Sequence, residues 1–393
     1  MRKVIVAAAV AVAVCGALGA VTTSAGAAPR KAEVALPAPT GPYPVGTKAM
    51  ELVDRTRRDP WVPSERYRRL MVGIWYPARD VAHYPMAAQF PAGTAAAFDQ
   101  VNNLGLPPGK VDWAGTKTHA HTGAPEAGGQ QPVVLYSPGV GDPRDWNTML
   151  VEELASRGYT VVTIDHTYDA SAVEFPDHSV AKSVLPDLFK QPNVDVPTLL
   201  RKVLAVRVAD TKFVLDALHL HRVGMFGQSG GGFEGLQLLH DDSRVAAVID
   251  MDGIVGIDED DQGPGLSPLA NSGVTRPFLL MGSAGNDHYT STSWARLWQH
   301  SPGWKRDLHL RGAEHQTYTD AEALVPQIAK QLGLSTTDEQ GPVYGDIGWI
   351  DPARAIASER AYLTAFFDRW LRHRDSGLLT GPSPRYPSVI FVR

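Results

Sequence analysis

The stretch GMFGQSGGGFEG, residues 224–235, sets one hydroxyl among glycines directly after an apolar run. Gly227-Gln228-Ser229-Gly230-Gly231 fits G-x-S-x-G, a turn that lifts a serine out as a nucleophile. Glycine loses the most backbone freedom on folding, so crowding it here needs a geometric reason. A sharp strand-to-helix bend supplies one, because strand and helix approach closely only if the positions two away from Ser229 lack side chains. A serine hydroxyl needs a base, and in this kind of site the chain order is serine, acid, histidine. Among 13 histidines, His315 in LHLRGAEHQTYTD is best placed, just after the last expected central strand; His288 and His240 are weaker candidates. For the acid, VAAVIDMDG offers Asp250 and Asp252, and LLMGSAGNDH offers Asp287. Pattern alone does not separate Asp252 from Asp287. An oxyanion needs two N–H donors aimed at the developing charge. The N–H of Gly230 follows the serine directly, and the loop PGVGDPR after PVVLYS offers that of Val140. Together these residues describe acyl transfer: attack on an ester carbonyl, an acyl-serine, and its release by water.

Such a site needs strands that end together and helices that cover them. From Pro132 onward, apolar runs of strand length alternate with segments of helical spacing. PVVLYS (132–137), YTVVTID (159–165), RVGMFG (222–227), RVAAVIDM (244–251), RPFLLMG (276–282) and KRDLHLRG (305–312) read as strands buried on both faces. Between and after them, 146–158, 196–218, 231–240, 293–300 and 354–373 read as helices. Two earlier strands are expected at 47–54 and 68–77. This alternation predicts an α/β fold, a mostly parallel central sheet with helices on both faces. Residues 78–131, rich in Ala, Gly and Pro, are expected to form an irregular excursion with one short helix. Trp146, Trp294 and Trp298 border the expected site, although helix-spaced aromatics are more often core than pocket lining.

The chain opens with Arg2 and Lys3, an Ala/Val-rich run from Val4 to about Val21, and small residues Ala25 and Ala27. That is the pattern of a secretory signal peptide cleaved near Ala27, leaving one catalytic domain over 28–393. Cys15, the only cysteine, falls inside that segment. A mature chain without thiols excludes thiol catalysis and cysteine-ligated zinc, and HAH (119–121) has no further ligands clustered near it, so no metal is expected. Net charge is −5 with basic residues scattered, which gives no footprint for nucleic acid.

Several separate stretches resemble the plasma-type platelet-activating factor acetylhydrolase family and its secreted bacterial lipase and esterase relatives. LPAPTGPYPVG (36–46) and RLMVGIWYPA (69–78) resemble the family's amino-terminal strands. VVLYSPGVG resembles its oxyanion segment, with Pro138 where a histidine is common. DHTYDASAVEFPD (165–177), GQSGGG, with Gln228 in place of the usual histidine, and GAEHQTYTD match further family loops. The likeness spans residues 36–372. It implies the α/β-hydrolase fold and a serine esterase or lipase needing no cofactor, with Asp252, in DMDG, as the acid joining Ser229 and His315. It also implies an ester or lipid substrate such as a short-chain, acetylated or oxidised phospholipid, transient contact with a lipid interface, and no obligate protein partner. A cutinase-like polyester or triglyceride hydrolase fits the same motifs, and a catalytically inactive binding protein on this fold is the reading from outside enzymology.

Overall fold

The computed structural model describes residues 31–393 apart from 103, 258–260, 262–265, 336–337 and 339–340. The expected signal segment, residues 1–27 with Cys15, lies outside the described residues.

The strands are β1 (Val45–Asp54), β2 (Arg68–Pro77), β3 (Met86–Ala88), β4 (Lys117–Thr122), β5 (Val133–Ser137), β6 (Thr160–Asp165), β7 (Ala172–Glu174), β8 (Val180–Lys182), β9 (Val223–Gln228), β10 (Val245–Met251), β11 (Phe278–Gly282), β12 (Lys305–Leu310) and β13 (Val389–Phe391). The helices are α1 (Ala92–Val101), α2 (Thr148–Ser156), α3 (Leu185–Phe189), α4 (Val196–Ala217), α5 (Gly230–Asp241), α6 (Pro268–Ser272), α7 (Thr292–His300), α8 (Ala321–Leu332), α9 (Pro342–Ile347) and α10 (Pro352–Leu371). All strands except the β7–β8 hairpin join one sheet in the order β13-β12-β11-β10-β9-β5-β6-β2-β1-β4-β3. From β12 to β6 neighbouring strands are parallel, while β2 and β13 flank this centre antiparallel. This is the α/β-hydrolase arrangement of a mostly parallel sheet wrapped by helices.

The alternation of strand side chains explains why both faces are covered. Phe226, Ile249 and Leu279 point to one face and pack with Leu150 and Leu154 of α2 and Phe366 and Phe367 of α10. Their neighbours Met225, Val248 and Leu280 point to the other and pack with Val214 of α4, Leu236 of α5 and Leu297 of α7. Strands buried on both faces lose the polar alternation of a half-exposed strand and read as continuous apolar runs.

The segment expected to be irregular, 78–131, holds more than one helix. Besides α1 it contains β3 and β4, and β4 extends the sheet by pairing in parallel with β1. Its sequence, KTHAHT, buries only the small Thr118 and Ala120, so no apolar run announces it. Phe90 and Phe98 from this segment gather with Trp113 and Trp146 into an aromatic cluster, with the Phe98 and Trp146 rings 4.7 Å apart. Helix α8 carries Pro326 in its interior. A proline there removes a backbone hydrogen bond, and the buried Leu324, Val325, Ile328 and Ala329 hold the helix by packing instead.

Candidate active site

Every element that positions the site ends at the same edge of the parallel sheet. Strand β9 delivers Ser229 into a backbone conformation of φ 55°, ψ −124°, which residues with a side chain rarely adopt. The surroundings hold it there. Its N–H donates to the Met251 carbonyl at 2.8 Å, and its carbonyl accepts from Gly232 N–H at 2.9 Å. The flanking glycines are required by contact. A Cβ on Gly227 would lie 2.3 Å from the Gly231 carbonyl carbon, and one on Gly231 would lie 2.1 Å from the Ser137 carbonyl oxygen. The strand, the helix α5 and the loop after β5 therefore touch backbone to backbone.

His315 begins a short 3-10 turn, His315–Tyr318, after β12. Its Nδ1 lies 2.6 Å from Asp252 Oδ2, at the end of β10. A carboxylate only accepts, so Nδ1 carries the hydrogen, and in the neutral ring Nε2 keeps its lone pair. The other carboxylate oxygen of Asp252 accepts from the Ser283 N–H and the Asn286 side-chain amide, both at 2.8 Å. Burial pushes the Asp252 carboxyl up, but the His315 hydrogen bond and these donors outweigh it and hold it below the usual range. Burial alone would lower His315; the hydrogen bond and charge of Asp252, with Asp142 and Glu314 nearby, leave it raised.

The other candidates go elsewhere. Asp287 accepts the N–H groups of Tyr289 and Thr290 at 2.8 and 3.0 Å and closes its own turn. Asp250 is fully buried and accepts from Gly253 N–H; burial pushes its carboxyl well above the usual value. His240 sits on the surface against Asp241, and His288 pairs with Asp307. Trp294 is wholly buried and donates to the Gly253 carbonyl at 2.8 Å. Trp298 stacks on His288, and Trp146 belongs to the aromatic cluster beside α1. All three are packing residues rather than pocket lining.

Val140 and Gly230 meet across the mouth of the elbow, the sharp turn at Ser229 between β9 and α5. A Cβ on Gly230 would lie 2.6 Å from Val140 Cγ2 and 3.7 Å from Val140 N. Among the described residues neither N–H is engaged in a hydrogen bond. Gly230 opens α5, where the first N–H groups have no partner within the helix and the helix dipole favours negative charge.

Sequence reasoning assigned no role to the residues that tie these parts together. The Gln228 side-chain amide donates to the His315 backbone carbonyl at 3.2 Å, linking elbow to histidine loop. Among the hydrogen bonds of the described residues none joins Ser229 Oγ to the imidazole; such contacts are often loose before substrate binds. Asn286 was masked by the more conspicuous Asp287 beside it. Among the described residues no group of His, Cys, Asp and Glu is arranged to hold a metal ion.

Comparison with known proteins agrees with this architecture. Residues 29–182 match the family described as platelet-activating factor acetylhydrolase, isoform II. A probable 1-alkyl-2-acetylglycerophosphocholine esterase from Arthroderma benhamiae is 29% identical over 380 residues, covering 91% of this chain and 93% of that protein. The solved structure of a ferulic acid esterase from Streptomyces cinnamoneus is 36% identical, with a TM-score of 0.74 over 92% of this chain and 99% of that one. The chain is thus a carboxylic ester hydrolase and belongs to the α/β-hydrolase esterases related to platelet-activating factor acetylhydrolase.

Proposed function

We propose that this esterase is an exported serine hydrolase that cleaves short-chain acyl esters through Ser229, His315 and Asp252. The observation that carries the reading is the 2.6 Å contact between His315 and Asp252, tied through Gln228 to the strained turn at Ser229. With Nδ1–H held by Asp252, Nε2 of His315 accepts the Ser229 proton as the oxygen attacks the ester carbonyl. The tetrahedral oxyanion is held by the N–H groups of Val140 and Gly230. Each such donor contributes about 2.7–4 kcal/mol to lowering the barrier. His315 then gives its proton to the departing alcohol. A water activated by the same Nε2 cleaves the acyl-serine, and the acid leaves. Asp252 stays ionised throughout and stabilises the imidazolium.

A half-buried apolar wall supports an apolar acyl or alcohol group. Val140, Tyr168, Val184, Leu188 and Phe189 pack around Trp61 and Leu185 beside the oxyanion loop. An acetylated phospholipid is the substrate class favoured by the acetylglycerophosphocholine esterase relative. The ferulic acid esterase relative favours a second reading, an aromatic hydroxycinnamoyl ester. Purified protein is assayed against p-nitrophenyl acetate, a long-chain ester, an acetylated phospholipid, methyl ferulate and a polyester film. Highest kcat/KM on the acetylated substrates supports the first reading, and highest on methyl ferulate supports the second. Turnover confined to the polyester or long-chain ester overturns both. A protein inert to all five and to a fluorophosphonate probe favours a binding role.

Export rests on the amino-terminal pattern. None of the described helices is long and apolar enough to cross a membrane. Amino-terminal sequencing of protein recovered from the medium is expected to begin after Ala27; an intact residue 2 on exported protein would count against cleavage.

A further inference from the structure

Beneath the oxyanion loop lies a cluster of charged side chains that the proposed chemistry does not use. Arg207, on α4, is 1% exposed, Asp169 1%, and Glu234 and Ser137 0%. Arg207 donates to two successive carbonyls of the loop, Pro138 O at 2.7 Å and Gly139 O at 2.9 Å. It also grips Asp169 with two bonds of 2.7 and 2.8 Å. Asp169 in turn accepts the Gly141 N–H at 3.0 Å. The peptide groups on both sides of Val140 are therefore pinned by one Arg–Asp pair, and the Val140 N–H between them is left free.

The same cluster reaches the second donor. Glu234 lies on α5, the helix whose first residue is Gly230. Ser137 Oγ, just before the loop, donates to Glu234 at 2.6 Å, and Thr211, one turn beyond Arg207, donates to the other Glu234 oxygen at 2.6 Å. Arg207 also lies 3.4 Å from Ser137 Oγ. Loop and helix are thus referenced to one buried junction, at the place where Gly231 packs on the Ser137 and Pro138 carbonyls. A guanidinium suits this task because its planar fork offers several donors in fixed directions, which an ammonium does not.

We infer that Arg207, braced by Asp169 and joined to α5 through Ser137 and Glu234, is a positioning residue that sets the spacing of the Val140 and Gly230 N–H donors. The inference rests on the proposed oxyanion hole. Arg68 provides an internal control. It is equally buried and belongs to the same network through Asp210 and His166, but its own bonds go to Asp59, Asp210 and the Thr167 carbonyl, none of them in the oxyanion loop.

The test compares Arg207→Lys, Asp169→Asn and Arg68→Lys in the full chain, using p-nitrophenyl acetate kinetics, the rate of fluorophosphonate labelling and thermal melting. Loss of one oxyanion donor lowers kcat by about 10²–10³-fold, so a misaimed donor in Arg207→Lys should cost about 10–100-fold in kcat. KM and the pH midpoint should hold, and labelling should slow in parallel. Asp169→Asn, which keeps an acceptor for Gly141, should lose less, and it carries the test if Arg207→Lys does not fold. Arg68→Lys should melt lower yet keep kcat. Equal kcat losses for the two lysine variants, or a loss in KM alone, would overturn the positioning role. A Ser229→Ala variant measured alongside separates the premises: if it retains turnover, the site itself is misassigned, whereas an inert Ser229→Ala with a fully active Arg207→Lys overturns only the role of Arg207.

Discussion

Two histidine–aspartate pairs in this molecule share a 2.6 Å contact and differ in everything around it. His315 meets Asp252 at the mouth of the elbow, and His288 meets Asp307 within β12. The His315 side chain is 42% exposed, that of His288 only 6%. His288 is flanked by Trp298 and Tyr289, each with its ring centre 4.2 Å away. Asp252 has donors on both oxygens, and these hold it ionised against its burial. Asp307 takes both of its bonds, from the His288 ring and from the His288 N–H, on one oxygen. Burial leaves its carboxyl raised. A short His–Asp contact is therefore no mark of catalysis by itself. What distinguishes the first pair is a half-open ring, a fully solvated-in-protein carboxylate, and a strained serine on the neighbouring strand.

This contrast breaks most sharply with the histidines and the serine. Ser229→Ala and His315→Ala are each expected to lower kcat by about 10⁶-fold. His288→Ala should leave kcat within about twofold and lower the melting temperature, as removal of a buried packed residue does. Steady-state kinetics with parallel thermal melts checks both halves. The acids come next. Asp252→Asn is expected to cost about 10⁴-fold in kcat, because an amide cannot hold the same tautomer or stabilise the imidazolium. Asp307→Asn and Asp287→Asn should have small effects on turnover; a collapse in either would move the acid's role away from Asp252.

Smaller effects sharpen the comparison. Asn286→Ala removes one of three donors from a buried carboxylate. A hydrogen bond to a charged group contributes about 1.5–3 kcal/mol, and a loss of roughly tenfold in kcat would show that Asp252 depends on it. The smallest expected effect is electrostatic. His315 must be neutral to accept the serine proton, and its pKa is raised, so kcat/KM should fall below a midpoint above the ordinary histidine value of about 6.5. Glu314 is one of the carboxylates that raise it. Glu314→Gln should move the midpoint of the kcat/KM profile to lower pH, and a shift upward would reverse the sign of this account.

Much of this arrangement was legible because buried parallel strands and close backbone contacts leave strong marks. The run RVGMF followed by clustered glycines identified the bend at Ser229, and the contacts of Gly227 and Gly231 give the reason. The long helix α4 spans 196–217, within one residue of its expected range. The strand β4 and helices α8 and α9 were harder, since small polar residues and an internal proline hide their burial. The acid was undecided by pattern, because Asp252 and Asp287 each follow a strand. Only the fold reveals that Asp287 turns Oδ1 to the N–H groups of its own turn while its neighbour Asn286 reaches Asp252. Arg207 was illegible for a related reason: in sequence it is one cation on an amphipathic helix, and its hydrogen-bond partners lie 38 to 70 residues away.

The most direct measurement is the identity of the acylated residue. Rapid quenching of the enzyme with p-nitrophenyl acetate, followed by peptide mass analysis, should place one acetyl group on Ser229, with wild-type enzyme showing a burst of p-nitrophenol and Ser229→Ala showing neither. Acetyl on another residue during turnover, or undiminished turnover by Ser229→Ala, would contradict the assignment of the nucleophile and the mechanism built on it.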